Sequence, residues 1–93
     1  MKFIEILTVE AALKAVESDG YTLRYVPSEL RTEAVALKAV GIKGCALRYV
    51  PAKLRTEAVA LKAVGINGDA LQYVLNSELL VKIAAHFKIN VKN

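Results

Sequence analysis

Hydrophobic positions along the chain come in runs, and the runs are cut at regular places. Residues 33–40 and 57–64 each read Glu-Ala-Val-Ala-Leu-Lys-Ala-Val, with one glutamate and one lysine as the polar positions. Such a run holds no breaker and is rich in strong helix formers, so it predicts a helix. Thr32 and Thr56 stand just ahead as N-caps. Glu33 and Glu57 put a negative charge in the first turn, where the helix dipole favours it. Too few polar positions remain to make a wide wet face. A helix apolar nearly all round is buried on most sides. Ala34, Ala36 and Ala39, with Ala58, Ala60 and Ala63, are expected to let its neighbours approach closely.

A shorter pattern sits between these runs. Residues 21–26, 45–50 and 69–74 predict short helices. Pro27 and Pro51 follow the first two, so a break is expected at Val26 and Val50, then one tight turn through residues 28–30 or 52–54. The long helices need a stop. Gly41 and Gly65 are candidates, but Glu17 holds that phase earlier in the chain. Gly20, Gly44 and Gly68 share a later phase, and a left-handed glycine after the last helical residue is expected there.

These phases belong to one repeat. LRTEAVALKAVGI occurs at residues 30–42 and again at 54–66 without a change. Leu-Arg-Tyr-Val-Pro at 23–27 recurs at 47–51 and returns as Leu-Gln-Tyr-Val-Leu at 71–75, while Thr8 shares the phase of Thr32 and Thr56. The period is 24 residues. The chain reads as a leading half-unit, 1–19, units at 20–43 and 44–67, and a divergent capping unit, 68–93. A unit this short cannot bury its own apolar surface and must stack on a copy of itself. The expected fold class is therefore all-α, a short solenoid of stacked helix pairs. In the last unit Asn76 or Ser77 is expected to cap a helix from 78 to about 88. Leu79, Leu80, Ile83 and Phe87 would line its inner side, Lys82 and His86 would lie nearer solvent, and a Glu78–Lys82 pair would add ~0.3 kcal/mol.

The pattern Gly-x-Ala-Leu-Arg-Tyr-Val-Pro-x-x-Leu-Arg-Thr-Glu-Ala-Val-Ala-Leu-Lys-Ala-Val, residues 44–64, resembles the short tandem helical repeats catalogued as domain of unknown function 4116. The resemblance runs from about 8 to 74. Val-Pro at 26–27 and 50–51 departs from the usual Ala-Ser of those repeats. The resemblance implies an all-helical repeat of bacterial and protist proteins, some of them large effectors. It carries over no activity and no catalytic residue.

Composition narrows the function classes. Ninety-three residues suit one domain. The net charge of +4, from 13 basic and 9 acidic residues, permits an anionic partner without demanding one. Cys45 is the single cysteine and His86 the single histidine, so neither a disulfide framework nor a His/Cys metal set is implied. No glycine-rich phosphate loop and no paired carboxylates stand out. No cofactor is implied, and the protein is not expected to be an enzyme. Glu5 interrupts the early apolar run, no cleavage site follows, and no apolar segment approaches the ~20 residues of a membrane span. A cytoplasmic protein without membrane contact is expected; secretion by a signal-independent route leaves no trace of this kind.

Two ladders of like residues remain. Tyr25, Tyr49 and Tyr73 share one phase and are expected to form a row of half-buried rings. Arg24 with Arg48, Arg31 with Arg55, and Lys14 with Lys38 and Lys62 form a basic set, a solvated face or a candidate binding strip at Arg24, Arg31, Arg48, Arg55, Lys38 and Lys62. The expected function is a protein-interaction module whose partner the sequence does not identify. The alternatives are a nucleic-acid-associated protein using the arginine strip, diluted by Glu29, Glu33 and Glu57, and an assembly element pairing copies, as a homodimer for example, through the apolar edge 3–7.

Overall fold

A computed structural model of the protein describes residues 8–88. The chain runs α1 (Val9–Ser18), a 3₁₀ segment (Gly20–Tyr25), a 3₁₀ turn (Ser28–Leu30), α2 (Glu33–Ile42), a 3₁₀ segment (Gly44–Tyr49), a 3₁₀ turn (Ala52–Leu54), α3 (Glu57–Ile66), a 3₁₀ segment (Gly68–Tyr73) and α4 (Ser77–His86). Among the described residues there is no strand, so the fold is all-α. The apolar edge 3–7 lies outside the described residues.

The N-termini form as the side chains dictate. Thr8, Thr32 and Thr56 accept the backbone N–H of Ala11, Val35 and Val59 at 3.1, 3.3 and 3.4 Å. Asn76, rather than Ser77, caps α4 through Leu79 N–H at 3.0 Å. α2 packs between α1 and α3, while the three six-residue 3₁₀ segments pack on one another alongside. Being covered on two flanks explains the apolar sequence of α2: Val35, Ala36, Ala39 and Val40 are buried, as are Val59, Ala60, Ala63 and Val64 of α3. Leu23, Val26, Leu47 and Val50 close the core from the 3₁₀ side. Each such side chain contributes ~1.5–3 kcal/mol by leaving water. No polar or charged residue among those described is buried. Ala34 and Ala58 differ from expectation. They face solvent, because both lie in the first turn on the side away from the neighbouring helices.

Three further expectations are corrected. First, the glycines do not end the helices. No described glycine has a positive φ, and the helices stop at Asp19, Lys43 and Asn67 in extended backbone (φ −158°, −135° and −151°). The glycine then opens the next 3₁₀ segment, and its lack of a side chain serves packing. A Cβ on Gly20 would strike the Ala39 carbonyl oxygen and lie 3.0 Å from Lys43 N. A Cβ on Gly44 would strike the Ala63 carbonyl oxygen and lie 2.9 Å from Asn67 N, whereas Gly68 has nothing within 4 Å.

Second, the short helices are 3₁₀. Each spans six residues and is followed by Val26, Val50 or Val74 in extended geometry, a short run in which packing sets the tighter ladder. Pro27 and Pro51 stand ahead of the following turn, at ψ 143° and 139°, and not at a first helical position. Third, Lys82 pairs with Glu57 of α3 at 3.5 Å instead of Glu78. Phe87 is 36% exposed at the end of α4, its ring edge-on to His86 and beside Gly65, while Ile83 and Ala84 make the buried contact.

Candidate functional site

The six basic residues predicted as one strip separate into three groups. Arg31 and Arg55 turn inward. Arg31 donates from Nε to Val26 O (2.6 Å), from Nη2 to Arg24 O (3.1 Å) and from Nη1 to Tyr49 O (2.9 Å). Arg55 repeats the set with Val50 O (2.9 Å), Arg48 O (3.0 Å) and Tyr73 O (2.8 Å). Two of the three carbonyls belong to the chain segment just before the arginine; the third lies on the next 3₁₀ segment. A 3₁₀ segment ending before proline leaves carbonyls without backbone donors, and the planar fork of guanidinium supplies several at once. These arginines are clasps between neighbouring segments and are not free for a ligand. Burial lowers the pKa of Arg55, yet guanidinium stays charged.

Lys38 and Lys62 form the second group. Lys38 is held by Glu17 of α1 at 3.3 Å, and the stem of Lys62 lies beside Gly41. Neither lines the groove formed by the third group.

That group is Arg24 and Arg48. Arg24 lies 4.6 Å over the Tyr25 ring and donates to the Tyr25 hydroxyl. Arg48 lies between two rings, 5.2 Å from Tyr49 and 5.7 Å from Tyr73. Hydrogen bonding to the Tyr25 hydroxyl, with that of Tyr49 adding to it, raises the pKa of Arg24 above its ordinary value. Tyr49 and Tyr73 are half-buried against the core as expected, and Tyr25 departs from the row. Tyr25 is 58% exposed, and the ring that meets Tyr49 edge-on, at 6.4 Å, is Tyr21. Arginine is the bridge along this row, because stacking on a ring covers the apolar face of guanidinium while its N–H edge stays available.

Arg24, Arg48, Tyr21, Tyr49 and Tyr73, without Tyr25, line a shallow groove of ≈ 370 Å³. Its lining comes from matching places in three 3₁₀ segments: Tyr21, Cys45 and Asp69 at the second position, Arg24, Arg48 and Gln72 at the fifth. Among the described residues the two ion pairs are Lys38–Glu17 and Lys82–Glu57, so neither groove arginine meets a carboxylate. Cys45 is half-buried in the groove wall. A second hollow lies at the start of α4, lined by Asn76, Glu78, Leu79 and Lys82 among others, with no titratable cluster. No group of three or more His, Cys, Asp or Glu among the described residues could hold a metal ion. Sequence reasoning picked out Arg24, Arg48, Tyr49 and Tyr73 but missed Tyr21, Cys45, Asp69 and Gln72, whose only signal was sharing a phase with other groove residues.

A family profile described as Domain of unknown function (DUF4116) matches residues 9–55 and again residues 33–80. The chain belongs to this family. In this DUF4116 protein the two matches overlap over 33–55; the first covers α2 alone of the two identical helices, and the second covers both α2 and α3. No curated protein and no solved structure matches the chain significantly. No helix among the described residues of this DUF4116 chain is long and apolar enough to cross a membrane.

Proposed function

We propose that the chain is a short solenoid with a 24-residue period, units 20–43 and 44–67 between a leading half-unit and a C-terminal cap. Its function in this reading is to present the arginine–tyrosine groove to a protein partner, with no chemistry of its own. One observation carries the proposal. The groove is built from equivalent positions of successive segments, and its two guanidiniums are stacked on rings yet meet no carboxylate of the described residues. Immobilised cations beside aromatic rings lose little side-chain entropy on binding, which is what an interface anchor requires. The clasps of Arg31 and Arg55 and the close approaches at Gly20 and Gly44 support the stack. The principal extents of 43 × 22 × 18 Å fit an array growing along one axis. The nucleic-acid reading loses support, since Arg31 and Arg55 are occupied by backbone carbonyls.

Cys45 supplies the test, as the single thiol and a wall of the groove. A benzophenone attached there and irradiated in lysate should give discrete protein adducts. The same label on Lys62→Cys in a Cys45→Ser background should not. Equal labelling from the two positions would contradict the groove as the interaction surface.

A further inference from the structure

The groove carries information about its occupant, and the following inference rests on the interaction reading above. Along its length the charge is uneven. The first two rungs present Arg24 and Arg48; the third presents Gln72 in the arginine's place and adds Asp69. The guanidiniums lie over the Tyr25, Tyr49 and Tyr73 rings, and Arg24 spends a donor on the Tyr25 hydroxyl with the Tyr49 hydroxyl close by. What remains for a ligand is two guanidinium edges, one per rung, which match carboxylates in planar geometry.

Spacing then selects the ligand's conformation. Neighbouring layers of packed helices lie ~8–10 Å apart. An extended chain advances ~3.3 Å per residue, so three residues cover one rung. We propose that the groove binds an extended acidic segment of another protein, with two carboxylates three residues apart gripped by Arg24 and Arg48. Asp69 at the third rung repels a further acid and favours a neutral or basic residue there. Nucleic acid fits less well. Nucleic-acid affinity grows with the number of phosphates neutralised, and this groove offers two arginines and a carboxylate, with Lys43 over its Tyr21 ring.

Fluorescence anisotropy with labelled Gly/Ser peptides tests this. The probes are Glu-x-x-Glu-x-x-Lys, the same sequence reversed, a version with adjacent glutamates, Gln-x-x-Gln-x-x-Lys, and a short oligodeoxythymidine. One direction of the spaced diacid should bind. The adjacent version should bind roughly tenfold or more weakly, the loss of one charge-assisted pair, and the glutamine version more weakly still, having lost both. Arg48→Gln and Arg24→Gln, checked for wild-type helicity by circular dichroism, should give a similar loss. Equal binding of the glutamine peptide, or tighter binding of the oligonucleotide, would overturn the acidic occupant. So would peptides that fail to bind while groove-specific adducts from Cys45 persist; in that case the interaction reading survives. Absence of both adducts and peptide binding would overturn the two together.

Discussion

Arg24 and Arg31 are the same residue type seven positions apart, and their fates are opposite. One lies across a ring at the surface; the other reaches three carbonyls on two segments. The difference predicts different losses. Arg55→Ala should lower stability by about 2 kcal/mol in urea unfolding, because three carbonyls lose a charged donor. Arg48→Ala should cost about 0.5–1 kcal/mol, the scale of an exposed cation–π contact. Equal losses would mean that Arg55 is no clasp. Glycines divide in the same way. Gly44→Ala should cost about 1–3 kcal/mol as its Cβ meets the Ala63 carbonyl. Gly68→Ala, with open space around it and no positive φ, should be neutral or stabilise by about 0.4–1 kcal/mol through the unfolded chain. Thermal melts of the two variants decide the matter. The sequence made the phases of these residues legible but not their directions. An arginine in a short polar stretch reads as surface unless the orphaned carbonyls ahead of Pro27 are counted. A phased glycine reads as a left-handed cap unless a neighbouring segment is known to press on it.

At the scale of elements, starts were more legible than stops. Thr8, Thr32 and Thr56 cap where expected, since an N-cap is a local bond between a side chain and an amide three residues on. Thr56→Ala should therefore destabilise by about 1 kcal/mol, and Thr56→Ser by much less, on the same urea measurement. If the serine variant lost as much as the alanine one, the cap would not be the cause. The extended break at Val26 and Val50 was equally legible, being local sterics of the residue before proline. The 3₁₀ character of the short segments was not, because six residues with helical propensity fit either ladder and tertiary packing chooses. α4 sits between these cases. Its cap and its buried Ile83 follow from the pattern, whereas the Lys82–Glu57 pair depends on where α3 lies and no pattern within α4 encodes it.

At the scale of the whole molecule, the proposed solenoid makes its 24-residue unit an exchangeable part. Three inter-segment devices have a copy one period on: the arginine clasp, the glycine under a carbonyl, the alanine-rich helix between two others. The groove is a product of the same repetition, one rung per segment, and its polarity comes from the divergence of the last one at Asp69 and Gln72. In such an array stability is close to a sum of unit and interface terms. The most direct test is urea unfolding of a chain carrying one additional copy of residues 44–67, inserted after residue 67. The account predicts a single transition with a higher midpoint, a steeper denaturant dependence from the extra buried surface, and unchanged helicity per residue. A lower midpoint, or a separate early transition from an unstacked insert, would contradict it.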